Sequence, residues 1–460
     1  MAAITNAGIG SGLDLESIIN VYVNAQKKPQ EALLNKREDT FNTQLSGVGK
    51  LKAALATFQE TLGKLADAAS FDQSKVDITG PDTNAFSVTT TNASNGSFQV
   101  EVGQLATGSR LASTNFASSA TTFGTGGSLS FQVGSNSVNV AVSSTDSLVD
   151  IRDNINSQAN SLGVTANIIN SDSGSQLVLS SSTTGAANQL SVSYTGDASL
   201  ADLSTNLVSQ QSAQDGQITI NGAVVSNSSN IYKDAIQGVT ITAQKQTTGA
   251  NTLTVSRDTQ AVTDLMQNFV DSYNSLKGTL SQLSDPDNGP LAFDPLVRQL
   301  SSQMQTMLGG TVSGQPTDMN NLYQAGITFN NDGTMSISDV GVGSGPSGAE
   351  RLQDAINNNI SQLGQLFAGT NGLATSLNGV LDTYTQNNGA IAQKETSLND
   401  SLADISKQRD DLELRLSDYE KTLRTRFDGL DQIVAQYQST GDYLTSALKS
   451  LPKVSSSSSG

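Results

Sequence analysis

The chain has 460 residues, 42 of them acidic against 25 basic, for a formal charge of -17, and it contains neither cysteine nor histidine. Those absences exclude disulfides, thiolate zinc sites, cysteine nucleophiles and histidine-activated serines, leaving carboxylate, lysine or tyrosine chemistry and an oxygen-only site for a hard cation. The acidic balance argues against nucleic acid, whose binding is driven by cationic surface, and against an anionic membrane, with the short Lys27-Lys28 run the local exception.

Chain order begins with Met1 to Ile19, which has no basic start and no continuous apolar block and so is not an ordinary secretory signal. No stretch approaches the roughly 20 apolar residues that span a bilayer, so no membrane insertion is expected. The expectation is a soluble protein, either cytoplasmic or exported without a cleaved apolar signal. Gly8, Gly10 and Gly12 imitate a phosphate loop, but no strand precedes them and the third glycine falls too early for a dinucleotide fingerprint. The segment reads instead as a flexible lead into a helix that starts near Ser11 or Asp14. From Phe41 the apolar positions Leu45, Val48, Leu51, Leu55, Phe58, Leu62 and Leu65 step by four and three, a near-heptad stripe.

The middle of the chain is rich in serine, threonine, glycine and asparagine and alternates with period two. Phe86 to Val88 and Phe98 to Val102 read as half-buried strands. From Phe131 to Ser180 the pattern is strand, helix, strand, hairpin: Val138, Val140 and Val142 share a face, Leu148, Ile151 and Ile155 follow on a helix, and Val164, Ala166, Ile168, Leu177 and Leu179 return as strands. Asp146 is the expected N-cap, its capping box incomplete because Val149 stands where Glu would close it. Asn221-Gly222, between Ile218, Ile220 and Val224, predicts a tight hairpin, since both central residues must take positive φ. Val239, Ile241, Leu253 and Val255 continue the sheet before a helical texture returns after Arg257.

In the last third, Asp285, Asp287 and Asp294 sit in a Pro/Gly-bearing loop; their spacing does not fit a calcium loop and they read as a solvated acidic turn. Asn331-Asp332-Gly333, between Ile327, Phe329, Met335 and Ile337, predicts a second hairpin. Leu398, Ile405, Leu412 and Tyr419 form one row seven apart, and Leu402, Leu416, Leu423, Leu430 and Tyr437 a second, interrupted by Arg409. The register slips at Phe427 and Val434. Carboxylates along this helix lie beside lysines and arginines at pairing distance, so none asks for an acid–base role and no enzyme activity is expected. No cofactor is called for.

Gly10-Ser11-Gly12-Leu13-Asp14, followed by Ile18-Ile19 and a helix with Pro29, resembles the N-terminal signature of the bacterial flagellar filament cap family, and Tyr437-Gln438-Ser439-Thr440-Gly441-Asp442-Tyr443-Leu444 is similar to its closing motif. Ile218 to Val224, Asn230 and Gly238-Val239-Thr240 resemble the family's segment before the helical return, and Phe131 to Ser180 resembles the insert it shares with flagellins. The resemblance implies a secreted structural protein at the distal filament tip, carried by type III export and assembled as a homo-oligomeric ring, usually pentameric. It also implies flagellin, hook-filament junction proteins and an export chaperone at the C-terminal helices as partners, and host mucin for some members.

The fold class expected is α+β multidomain, with terminal helices forming a coiled-coil or helical-bundle leg and β-rich domains inserted mid-chain. The domains expected are leg segments 1–40 and 425–460, flexible when unassembled; a helical coiled-coil domain with a small hairpin from 41–75 and 259–424; a β-rich domain from 76–106 and 212–258; and an inserted β/α domain at 107–211. Candidate contact residues are Leu13, Asp14, Ile18, Ile19, Tyr22, Leu51, Leu55, Phe58 and Leu62 near the start, and Leu412, Leu416, Leu423, Tyr437, Tyr443, Leu444 and Leu448 near the end. The alternatives are another flagellar axial protein, flagellin-like or junctional, and a surface adhesin.

Overall fold

A computed structural model describes residue 12, residues 14–341 and residues 343–450. The chain divides into two compact units, one of Met1–Phe71 with Thr263–Gly460 and one of Asp72–Val262.

The first unit opens with α1 (Leu15–Ala66), a single helix of 52 residues. Asp14 caps it, its Oδ1 accepting the Ser17 N–H at 3.0 Å, which satisfies one of the orphan donors of the first turn. Of the two starts that the sequence allowed, Asp14 is the one used; Ser11 lies outside the described residues. Pro29 sits inside the helix on its exposed side.

The second unit begins with the strands β1 (Ser74–Thr79), β2 (Phe86–Thr90), β3 (Gly96–Gln104) and β4 (Arg110–Ala112). A β/α stretch follows, with β5 (Gly126–Val133), β6 (Asn136–Ser143), α2 (Leu148–Gln158), β7 (Val164–Ser171), β8 (Gly174–Ser181), β9 (Leu190–Gly196) and β10 (Val208–Gln211). The chain then returns through β11 (Gly216–Ile220), β12 (Ala223–Asn227), β13 (Ile231–Ile236), β14 (Val239–Ala243) and β15 (Asn251–Arg257). All pairings are antiparallel. One five-stranded sheet runs β1-β15-β3-β11-β12 and one three-stranded sheet β13-β14-β2, and between them lies a core built on Val100, Val102, Ile218, Ile241, Leu253 and Val255. The stretch between β3 and β11 has its own two sheets, β10-β4-β8-β7 and β6-β5-β9, closed by α2 over a separate core that includes Phe123, Phe131, Leu148, Ile151, Leu177 and Leu179.

The Asn221-Gly222 turn forms as its sequence demands, with φ of 47° and 85°, and joins β11 to β12 from Ile220↔Ala223 outward. At the start of α2 the structure corrects the sequence reading. Ser147 is the N-cap, and its box with Asp150 is complete: Ser147 Oγ accepts the Asp150 N–H at 3.3 Å while Asp150 Oδ2 accepts the Ser147 N–H at 2.9 Å. Asp146 instead accepts the Ser143 N–H at 2.9 Å and closes the preceding turn. An aspartate at the third helical position does the work usually sought from Glu or Gln, and a search for the longer acid passes over it.

Asp197 ties the end of β9 to the loop before β5. The backbone N–H of Ser199, that of Thr125 and the Ser199 hydroxyl all donate to it, and they hold its carboxyl down to about 2. A depressed folded-state pKa stabilises the fold fully above the unfolded value near 4 and loses that contribution as the pH falls toward 2. Asp197→Ala is therefore expected to lower the melting temperature by roughly 2–4 °C at pH 7, a gap that narrows between pH 4 and pH 2 in scans across that range. A gap independent of pH would show that the carboxylate charge is not what ties the loop.

Back in the first unit, α3 (Thr259–Leu283), α4 (Pro295–Gly309), the two-residue strands β16 (Thr328–Phe329) and β17 (Met335–Ser336), α5 (Gly348–Asn358), α6 (Ile360–Ala368), α7 (Leu373–Thr385) and α8 (Ala390–Lys449) follow. The stripe read from Phe41 turns into its core: Val48, Leu51, Leu55, Phe58, Leu62 and Leu65 are all fully buried. The Phe58 ring lies 6.1 Å from that of Phe269 and 6.3 Å from that of Tyr273, and Phe269 meets Phe367 edge-on at 5.6 Å. The predicted hairpin around Gly333 is present, β16 paired with β17, and Asn274 of α3 clips it down by donating to the Met335 carbonyl at 2.9 Å and accepting the Met335 N–H at 2.7 Å.

A candidate assembly surface on the paired terminal helices

The helices α1 and α8 pack antiparallel, their contacts pairing early residues of one with late residues of the other. Leu34 of α1 is buried against Ile405, Leu412 and Leu416 of α8, with Val23 and Phe41 partly buried beside them. The heptad rows thus find their partner within the same chain. Polar clasps flank the seam: Lys52 to Glu395 at 3.2 Å, Arg37 to Gln408 at 3.1 Å, and Arg409 to Asn35 at 2.6 Å and to Glu38. Arg409, which interrupts the apolar row, helps set the register instead, because its Nη2 donates to both Asn35 Oδ1 and Glu38 Oε2 on adjoining turns of α1.

A further clasp sits where α1 begins. Arg424 donates through Nη1 and Nη2 to the two Glu16 oxygens at 2.6 and 2.5 Å, and through Nε and Nη2 to Glu420 at 2.9 and 2.7 Å. The guanidinium holds the Glu16 carboxyl below its ordinary range, and the two acids push Arg424 further toward the charged form. Such half-exposed pairs add little stability by themselves; their effect is to set which residues of the two helices stand opposite each other. Just beyond them the Tyr22 and Phe427 rings lie 6.4 Å apart.

The structure sorts the sequence-predicted contact residues into distinct groups. Leu51, Leu55, Phe58 and Leu62 are fully buried in the helical unit's own core, and Ile19, Leu412, Leu416 and Leu423 are also buried, so these side chains stabilise the fold and do not offer surface to a partner. Asp14 is the helix cap and Ile18 is half-buried. Leu13 lies outside the described residues. Tyr22, Tyr437, Tyr443, Leu444 and Leu448 remain exposed, and with them Leu430 and Ile433. The slip of register is visible here: Phe427 and Val434 stay half-buried on the seam side, whereas Leu430 and Tyr437 of the earlier row turn outward.

Every residue from Gln436 to Ser450 is exposed, although the segment is helical to Lys449 and carries two tyrosines and two leucines. From Arg424 onward α8 extends about 38 Å at roughly 1.5 Å per residue. The acidic loop residues are committed locally. Asp285 Oδ1 accepts the N–H groups of Asp287 and Asn288, and Asp294 caps α4 while pairing with Lys394 at 2.8 Å. Among the described residues no group of three acidic side chains gathers as a metal site would require, and no helix is long and apolar enough to cross a membrane.

Known proteins match along the whole chain. Residues 11–109 match the family model described as Flagellar hook-associated protein 2 N-terminus, residues 213–439 that of Flagellar hook-associated protein 2 C-terminus, and residues 126–183, the stretch likened to flagellins, the Flagellin hook IN motif. Flagellar hook-associated protein 2 of Aeromonas caviae is 31% identical over 98% of this chain and 100% of its own, and the A-type protein of Pseudomonas aeruginosa is 30% identical over 97% of each. The crystal structure of the flagellar cap protein FliD D1-D2-D3 domains from Escherichia coli covers 77% of this chain and 99% of its own at 30% identity, with a TM-score of 0.66. Terminal helices packed together, β-rich sheets between them and relatedness from end to end place the chain in the flagellar hook-associated protein 2 family, the flagellar cap proteins.

Proposed function

We infer that this protein is the structural cap at the distal tip of the bacterial flagellar filament, outside the cell, where it promotes flagellin polymerisation and prevents loss of monomers. It is not an enzyme: it belongs to a family of structural proteins that serve motility. The observation that carries the mechanism is the far end of α8, a largely polar stretch of helix on which Tyr437, Tyr443, Leu444 and Leu448 stand exposed.

The finer reading concerns what covers that end. Copies of the chain assemble into a ring, taken as pentameric, and Ile18, Tyr22, Tyr437, Tyr443, Leu444 and Leu448 form the stripe that meets neighbouring copies and the filament. Flagellin and the hook-filament junction proteins are the partners after export, and an export chaperone covers the same end of α8 before it. A ring whose symmetry differs from that of the lattice beneath it cannot repeat one contact everywhere, so these contacts are individually weak and adaptable. A projecting helix of mixed tyrosine and leucine suits that task, because its rings and branched ends accept several packings at similar energy.

Expression of this chain in a flagellated bacterium deleted for its own cap is expected to restore filaments and swimming. Flagellin shed as monomer into the medium of the complemented strain, with bald cells, would overturn the reading.

A further inference from the structure

The β unit holds two cores, and the chain crosses between them twice: outward from β3 through residues 105–107 and back into β11 through residues 213–215. The two crossings form a short ribbon. Thr107 N–H donates to the Gln214 carbonyl at 3.0 Å and Gln214 N–H to that of Thr107 at 3.1 Å. Side chains bind the ribbon further: Gln214 Nε2 donates to the Leu105 carbonyl at 3.2 Å, and Thr107 Oγ1 to that of Ser212 at 3.0 Å. Asn230, just before β13, clips the outward crossing, its Oδ1 accepting the Ala106 N–H at 2.8 Å while its Nδ2 donates to the Ala106 carbonyl at 3.0 Å. Two crossings through a polar junction are nevertheless the arrangement at which domains ordinarily swing.

A further contact is made outside the ribbon. The loop after β8 reaches from the insert to the turn between β12 and β13, where Thr184 Oγ1 donates to the Ser228 carbonyl at 2.6 Å. Its next two residues touch the crossings themselves: Gly185 N–H donates to the Thr107 carbonyl at 3.3 Å and Ala186 N–H to Asp215 Oδ1 at 2.8 Å. Gly185 is buried with a φ of 103°, and a Cβ on it would lie 2.6 Å from the Ser228 Cβ, so glycine is what lets the loop come this near. Both ends of the contact are anchored. Asn188 Nδ2 donates to the Thr184 carbonyl at 2.7 Å on the insert side, and Asn227 Nδ2 to the Ile231 carbonyl at 2.6 Å on the sheet side.

We propose that residues 184–186 are a strut that locks the insert against the sheets beside it, so that both cores of the β unit move as one body. Two adjacent crossings act as a single hinge and leave the insert free to bend. The strut spans that hinge from a loop of the insert to a turn of the sheets, and a bend that opens this side must break the hydrogen bonds of Thr184, Gly185 and Ala186 together. A force applied anywhere on the insert is then delivered to β11 and β3 without being absorbed at the junction. The inference concerns the β unit alone and stands whichever partners the protein has.

Because the chain has no cysteine, two can be added and labelled selectively. Ser157→Cys on α2 and Lys75→Cys on β1 are exposed positions, one on each side of the junction, and nitroxides attached there in the full-length chain report their separation by double electron–electron resonance. A single narrow distance distribution is expected. Thr184→Val with Asp215→Ala removes two of the strut's hydrogen bonds and leaves the backbone of both crossings in place; Gly185→Val pushes the loop off Ser228. Each is expected to roughly double the width of the distribution while circular dichroism keeps the strand signal of the parent. If Gly185→Val unfolds the insert, the milder pair of substitutions decides. A broad distribution in the parent would show that the junction swings, and an unchanged width in the folded Thr184→Val, Asp215→Ala variant would show that the strut is not what holds it; either result overturns the proposal.

Discussion

Replacing Tyr437, Tyr443, Leu444 and Leu448 together by serine is expected to abolish swimming while leaving the thermal unfolding of both units unchanged. These side chains are 74%, 73%, 55% and 67% exposed, so each substitution falls in the class of surface changes that usually stay within about 0.5 kcal/mol of neutral. In the proposed assembly the same side chains are expected to be worth far more. Burial against a neighbour contributes about 1.5–3 kcal/mol for a large apolar side chain, and the four together outweigh any single polar contact along the helix. Soft-agar spreading measures the function, and circular dichroism on the purified chain measures the fold. Loss of both would mean that the α8 end supports the helical unit itself; retention of both would remove this end from the contact surface.

The second large effect lies in the core. Phe58→Ala is expected to cost the helical unit about 3–5 kcal/mol, the range for truncating a fully buried aromatic, because the surrounding rings of Phe269 and Tyr273 cannot collapse into the space. At the size of this unit that is a drop of roughly 6–20 °C in its melting transition. The β unit has cores of its own, so its transition should stay in place, and calorimetry would resolve the two. A shift of both transitions by the same amount would mean that the chain unfolds as one cooperative body.

Much of this was legible from residue order. The alternation at Val138, Val140 and Val142, the Asn221-Gly222 turn and the terminal heptad rows each specify a local conformation through one dominant physical cause: pleat, positive φ or helical period. Legibility ends where the cause is not local. β1 pairs with β15, residues 74–79 with residues 252–257, and alternation alone says nothing about which strand lies beside which. The heptads announce that something packs on them without saying whether the partner is this chain or another, and only the placement of Leu412 and Leu416 against Leu34 decides it. Arg409 reads as a flaw in an apolar row until Asn35 and Glu38 are seen opposite. Nothing in the sequence marks Phe293 for its φ of 65°, in a loop whose Pro290 and Leu291 lie against Gly47 of α1.

The pairing of α1 with α8 has a temporal consequence. Arg37 of α1 meets Gln408 of α8 across 371 positions of chain, so α1 has to wait for α8 before it can pair. During synthesis, and during any passage that threads the chain from its N-terminus, the β unit has all its strands in hand long before the rod can zip. Contacts this distant close slowly because the intervening loop must first be brought together. The helical unit is thus a late-closing latch: its two halves stay separate until α8 has been made.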